Sequence, residues 1–286
     1  MDSLSVHDPR QIGPFTLLGR LGRGGMGTVF LGRLPSGRLA AIKLVNPGLA
    51  EDSQFRERFA REVDAARAVG GFFNAPIIDA DPRAETPWLA TAYVEGPTLH
   101  EAVRQHGALS TEAATTVLLG LCEALIAIHH ARLVHRDLKP SNIILAPDGP
   151  RVIDFGIAHA VDNLRITDYG TVIGTPEYMS PEQTRGDIDL SWASDVFALG
   201  SVMVFASAGH APFYGGHYFA MLENIRTANP DLDGVPHTLA PIVAACLDKE
   251  PGRRPRPAQV LGAATHHPRP PSPGHVDRDR WWVRRL

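Results

Sequence analysis

Cysteine is nearly missing from this chain of 286 residues, which carries only Cys122 and Cys246. Two thiols cannot build a disulfide framework, and they match neither the ligand spacing of a zinc cluster nor a CxxC redox pair. The natural compartment is a reducing one, so a cytoplasmic location is expected. An excess of one charge is also lacking. With 28 Lys and Arg against 31 Asp and Glu, the formal net charge is −3, which gives no footprint for nucleic-acid binding. The most apolar stretch, 197–208, is too short and interrupted to cross a bilayer, so no membrane span is expected in this chain. The opening MDSLSVHDPR has early acids and no apolar centre, unlike a signal peptide. Lysine is scarce as well. It occurs only at positions 43, 139 and 249, while the other 25 basic residues are arginine. A lysine kept in such a chain is a candidate for work that needs a compact point charge and not a planar fork.

What remains is an ordinary globular balance, 44% hydrophobic and 21% charged, long enough for one large domain or two lobes. Residues 1–13 read as a short leader. From Phe15 to Val45 the texture is strand-like, broken by glycines and by Pro35-Ser36-Gly37. A helical stripe of Phe55, Phe59, Val63 and Ala66 follows a polar start at Asp52-Ser53. Strand texture returns near 76–79 and 88–94. Beyond Gly96 the character changes, with Ser110 placed to cap a long helix bearing Leu118, Leu121, Cys122, Leu125 and Ile128. Two short β pieces, NIIL and RVIDF, precede helical patterns at 194–208, 217–226 and 238–247. The end, from 266, is rich in Pro and then Arg and is expected to be disordered. Its Trp281-Trp282 beside Arg284-Arg285 reads as an unpacked end before it reads as a membrane or partner contact.

Three sets of residues carry chemistry. Leu21-Gly22-Arg23-Gly24-Gly25-Met26-Gly27-Thr28-Val29 reads GxGxxGxV, whose glycines let backbone N–H groups approach phosphate oxygens. A strand follows it where a dinucleotide fingerprint needs a helix, and no P-loop pattern exists. Lys43 sits in AAIK on a strand, and a carboxylate is needed to orient it. Glu62 is the candidate, although the residue pattern alone allows equally an intrahelical pair with Arg58. Finally, His135-Arg136-Asp137-Leu138-Lys139-Pro140-Ser141-Asn142 is followed by Asp154-Phe155-Gly156. Two acids and an amide make an oxygen-rich site suited to Mg²⁺ bridging phosphates, with Lys139 as a point charge.

The whole string HRDLKPSN with DFG resembles the protein kinases, specifically the bacterial eukaryotic-like (Hanks-type) serine/threonine kinases. The resemblance runs from about Phe15 to about Ala264. It includes Gly174-Thr175-Pro176-Glu177-Tyr178-Met179-Ser180-Pro181-Glu182, the SDVFALG segment with Asp195, and Arg254. It implies an α+β, bilobal fold: a mainly antiparallel β N-lobe with one helix (about 14–95) and a mainly α C-lobe (about 96–265). ATP would be covered by Leu21, Val29 and Ala41, with Ile144 beneath. Ala92-Tyr93-Val94 would be the hinge, and Thr91 would guard the deeper pocket. Lys43, paired with Glu62, would hold the α/β-phosphates, while Asn142 and Asp154 would bind Mg²⁺, with Mn²⁺ as an alternative. Asp137 would orient the acceptor hydroxyl. Lys139 and Thr175 match the serine/threonine branch, so protein Ser/Thr residues are the expected substrates. Glu182 and Arg254 would form a structural ion pair.

Two positions depart from the family pattern: Ala66 stands where a larger apolar residue is usual, and Ala92 where an acid is usual. Many relatives continue into a membrane span, so the chain is either a soluble member or a truncated receptor kinase. Self-phosphorylation, through a transient homodimer, is expected on the polar stretch RITDYGT at Thr167 or Thr171. Two other readings compete with this one. A pseudokinase would have lost Lys43, Asp137 or Asp154, and all are present. A small-molecule phosphotransferase would lack GTPEYMSPE.

Overall fold

The computed structural model describes residues 1–154, 176–187 and 189–265. They fall into two compact units, one of residues 1–70 and 75–94, the other of 71–74 and the described residues from 95 onward. Phe155, Gly156, Thr167, Thr171, Thr175 and the stretch 266–286 lie outside the described residues.

The first unit contains strands β1 (Gln11–Ile12), β2 (Phe15–Gly24), β3 (Gly27–Arg33), β4 (Leu39–Val45), β5 (Ile77–Asp81) and β6 (Trp88–Ala92). They form one antiparallel sheet in the order β1-β2-β3-β4-β6-β5. Side chains alternate between faces along a strand. Phe15, Leu17, Phe30, Ala40, Ile42, Trp88 and Ala90 accordingly share one buried face, with Phe15 and Trp88 edge-on at 5.9 Å between ring centroids. Val29, Ala41, Lys43 and Thr91 take the intervening positions and are half-buried. Helix α1 (Pro47–Ala50) is a single turn that adds to the one helix expected here. Helix α2 (Ser53–Ala66) begins where the polar start implied, its N-cap Asp52 accepting from the N–H groups of Gln54 at 2.8 Å and Phe55 at 3.2 Å. Phe55, Phe59, Val63 and Ala66 are its buried stripe.

The second unit holds α3 (Leu99–His106), α4 (Thr111–His130), the hairpin β7 (Ile143–Ala146) and β8 (Gly149–Val152), α5 (Pro181–Arg185), α6 (Trp192–Ala208), α7 (Tyr218–Thr227), α8 (Ala240–Cys246) and α9 (Pro257–Thr265). Ser110 caps α4, accepting from Ala113 N–H at 3.3 Å. By length and composition α4 could cross a membrane, yet Leu118, Leu121, Cys122, Leu125 and Ile128 are all buried inside the unit. Helix α6 runs through the core, every residue from Ala193 to Ser207 being buried, as its largely apolar sequence requires.

Lys249, the third lysine, belongs to this scaffold. Its Nζ lies 3.8 Å from the centroid of Phe213 and donates to the Ile225 carbonyl at 2.6 Å, tying the last turn of α7 to the neighbouring core. Burial, reinforced by the Arg254 guanidinium, pulls its pKa down to about 8. A compact ammonium is needed between ring and carbonyl, which is a structural reason for lysine here and not a catalytic one.

Candidate active site

The loop after α4 is organised by one carboxylate. Asp195, fully buried near the start of α6, accepts from the backbone N–H of His135 (2.8 Å) and of Arg136 (2.8 Å), and contacts His129 Nε2 at 2.7 Å. Arg136 pays for its position with a left-handed backbone, φ 64°. Such a residue costs about 1–3 kcal/mol. Each hydrogen bond to a charged group returns about 1.5–3 kcal/mol, so the two amides outweigh the strain. Gln183 of α5 adds a third anchor, its Nε2 donating to the Arg136 carbonyl at 2.8 Å.

Asp137 follows directly, its N–H donating to His135 Nδ1 at 3.3 Å. Lys139 Nζ lies 2.7 Å from Asp137 Oδ2. Asn142 turns its Nδ2 toward Asp137, donating to the backbone carbonyl at 2.9 Å and to Oδ2 at 3.2 Å. Both acceptors lie on the amide's nitrogen side, which orients the amide and leaves Oδ1 as its acceptor. The Asn142 carbonyl in turn accepts from Ile153 N–H at 3.0 Å, so the chain delivers Asp154 next to it, with φ 55°. An amide oxygen and a carboxylate are hard oxygen donors that fit a divalent metal. Among the described residues no group of three or more His, Cys, Asp and Glu side chains is placed to hold a metal. Ile144 is half-buried on β7, one residue beyond Ile143.

In the first unit, Val29 pairs with Lys43 and Ala41 with Thr91 across adjacent strands, so these four share the face opposite the core. The glycines of the loop between β2 and β3 divide by cause. A Cβ on Gly27 would collide with the carbonyl oxygen of Leu44, so that glycine is required by strand packing. A Cβ on Gly22 or Gly24 would meet nothing within 4 Å. The protein's own packing does not demand these two. Arg23 and Gly25 are exposed, while Met26 and Thr28 are half-buried. Asn46, which no motif marked, holds the tip: its Nδ2 donates to the Gly25 carbonyl at 2.7 Å and its N–H to Met26 at 2.9 Å.

The 92–94 segment is more specific than the sequence implied. Ala92 N–H is taken by the Pro76 carbonyl at 2.9 Å and Tyr93 N–H by Leu39 at 3.4 Å. Among the described residues Val94 N–H has no backbone acceptor. Leu21 is half-buried at the start of the loop, and Glu62 lies on α2 just before buried Val63.

Below the catalytic loop, Arg254 and Glu182 meet in two parallel bonds, Nη1–Oε1 at 2.6 Å and Nη2–Oε2 at 2.8 Å. Ser194 Oγ donates to the same Glu182 oxygen at 2.7 Å, and Arg254 also reaches the carbonyls of Ala193 and Asp248, each at 2.8 Å. Burial pushes the Glu182 carboxyl up, but the Arg254 hydrogen bonds and charge pull it further down, to a value below the usual one.

A protein-family profile, Protein kinase domain, matches residues 15–265. The chain belongs to the protein kinase family. It is 52% identical over 267 residues to the serine/threonine-protein kinase AfsK of Streptomyces coelicolor, covering 93% of this chain and 33% of that protein. Identity to the probable serine/threonine-protein kinase PkwA of Thermomonospora curvata is 50% over 261 residues, covering 91% of this chain and 35% of that protein. The chain thus spans about a third of the length of these kinases. The solved kinase domain of Mycobacterium tuberculosis PknI superposes with a TM-score of 0.71 at 24% identity, covering 88% of this chain and 95% of that one, which shows the shared kinase fold. The family uses ATP and a divalent metal.

Proposed function

We propose that this chain is an active, ATP-dependent serine/threonine protein kinase that transfers the γ-phosphoryl group to Ser and Thr hydroxyls of proteins in bacterial signalling. The observation that carries this is the cluster of Asp137, Lys139 and Asn142, a carboxylate, an ammonium 2.7 Å away and an amide oriented by the same aspartate. A pseudokinase has no use for such an arrangement. The names of AfsK and PkwA support the serine/threonine class, as does the Lys139 and Thr175 pattern. The kinase domain would occupy about residues 14–265.

Asp137 orients the acceptor hydroxyl and takes its proton late, since an aspartate is a poor base at neutral pH. Lys139 offers positive charge beside that carboxylate, where the transferring group develops negative charge. Leu21, Val29 and Ala41 supply apolar cover for adenine, Val94 N–H bonds it, and Thr91 limits how deep it sits. Gly22 and Gly24 accept the phosphates closely. Lys43, oriented by Glu62, holds the α/β-phosphates. A divalent metal, Mg²⁺ or Mn²⁺, would be held by Asn142 and Asp154, where it supplies neutralisation of phosphate charge.

The test is incubation with labelled Mg-ATP and a map of modified residues by mass spectrometry. Phosphate on serine and threonine is expected; phosphate on tyrosine alone, or none, overturns the proposal. Lys43→Arg is expected to lose transfer by about 10²-fold or more although it keeps the charge, because the planar fork does not replace a point charge at a phosphate. Single-turnover labelling reads this directly, and wild-type transfer would show that Lys43 is not at the phosphates.

Autophosphorylation is proposed at Thr167 or Thr171, whose phosphate would pair with Arg136. The Thr167→Ala/Thr171→Ala double variant is expected to lose most of its own phosphate and part of its activity. Unchanged phosphate content and turnover would refute activation through this stretch.

A further inference from the structure

Strand β2 is irregular at two places. Its pairing with β3 shifts register between Leu17 and Gly19 and again between Arg20 and Gly22, so Leu18 and Leu21 are extra residues without a cross-strand partner. Bulges of this kind re-aim a side chain and loosen the ladder. The second bulge falls at Leu21, where the glycine loop begins.

The opposite edge of β2 is not open at these points. Arg10 carbonyl accepts from Leu17 N–H at 2.9 Å. Asp2 and Arg20 exchange both backbone bonds, at 2.9 and 2.8 Å, forming an antiparallel bridge outside the named strands. The Asp8 carboxylate grips Arg20 Nη2 through both oxygens, at 2.7 and 2.8 Å, and is itself held by Ser5 N–H at 2.7 Å. Leu4 packs on the apolar face of the sheet, and Ile12 is buried in it. Gly19 lets this segment lie close, since a Cβ there would stand 2.9 Å from the Asp2 carbonyl and 3.1 Å from the Met1 side chain. The Arg20 hydrogen bond is also the chief cause that holds the Asp8 carboxyl below the ordinary carboxylate range, so the pair is charged at neutral pH.

Main-chain and side-chain bonds therefore converge on Arg20, the last paired residue before the Leu21 bulge. We infer that residues 1–12 form a clasp on β2 whose Asp8–Arg20 bond positions Leu21 and the glycine loop, and so sets the affinity for nucleotide. This rests on the kinase reading given above. Covering a sheet edge would explain the backbone bridge alone. It does not explain a two-oxygen grip on the residue next to the bulge.

The test uses the full chain with Asp8→Asn, Arg20→Gln, the double variant and Asp8→Glu. Asp8→Asn and Arg20→Gln are each expected to raise KM for Mg-ATP about three- to tenfold, the effect of losing one hydrogen bond, with kcat within about twofold of wild type. The double variant should be no worse than the worse single one, and Asp8→Glu should restore most of the affinity. In the nucleotide-free chain, amide exchange over residues 20–27 should quicken in Asp8→Asn. Unchanged KM, or an equal fall in kcat, overturns the clasp. So does unchanged exchange. Absence of transfer in the wild-type chain would instead overturn the kinase reading, and the exchange measurement still decides the clasp.

Discussion

Asp137→Asn is expected to cut phosphoryl transfer by about 10²–10⁴-fold, the span that a positioned acid–base group supplies. The variant should keep its fold. Asparagine has the same shape, and the strongest anchors of the loop, Asp195 to the amides of His135 and Arg136 and Gln183 to the Arg136 carbonyl, do not involve the side chain at 137. Asn142 retains its bond to the backbone carbonyl of residue 137 at 2.9 Å. Only the carboxylate's charge beside Lys139 is lost. Nucleotide affinity, read by titration with Mg-ATP, should change little, since the phosphates are assigned to Lys43, Gly22 and Gly24. A folded Asp137→Asn chain that transfers phosphate at the wild-type rate would remove the basis of the functional proposal.

Arg254→Met is expected to be the most destabilising single change described. Removing one member of a buried ion pair leaves the other charged and costs about 3–5 kcal/mol. In a chain of this size that corresponds to a fall in Tm of about 10 °C. Here Arg254 is fully buried, and its loss also strands the carbonyls of Ala193 and Asp248. The pH dependence checks the cause. In the wild type the Glu182 carboxyl titrates below its unfolded value, so its contribution is complete above that unfolded value and is lost as pH falls through the depressed one. Without Arg254, burial raises the carboxyl's pKa as the largest cause, opposed only by the Ser194 hydroxyl and a backbone hydrogen bond. The variant should then lose stability as pH rises through that raised value, the opposite slope. Thermal melts between about pH 4 and pH 7 read both signs. Parallel slopes in the two proteins would show that the pair does not govern Glu182. Arg254→Met with Glu182→Leu should recover much of the loss, because a matched apolar pair leaves no buried charge.

Much of this arrangement was legible in the sequence, and the legible part shares a cause. Asp52, Ser110 and the stripe Phe55, Phe59, Val63 and Ala66 mark helices through local chemistry, and the structure uses each as that chemistry dictates. The catalytic loop was readable because its members lie within eight residues of chain. Helix α3 was missed although Thr98 and Glu101 form a capping box, a local signal that was available. Short helices α1 and α5 have too few residues for a periodic stripe to show. Other roles were out of reach because they depend on residues far apart. Asn46 meets the glycine loop across a hairpin, and His129 meets Asp195 from the end of another helix. The glycine loop was read as one phosphate device, whereas Gly27 answers to Leu44 on the next strand, a constraint no local pattern displays. The opening segment looked like a leader because its bonds to β2 run through backbone atoms and one salt bridge, neither of which leaves a hydrophobic rhythm.

Asp195 grips amide hydrogens, and amide hydrogens carry no record of the side chain beside them. So far as this bond is concerned, a descendant of the chain could exchange His135 for almost any amino acid and keep the loop's path. At Arg136 the left-handed backbone also disfavours β-branched residues. Proline is the exception at both positions, since it has no hydrogen to offer. The helix thus dictates the route of the backbone while leaving the chemistry displayed along it open to inheritance and change.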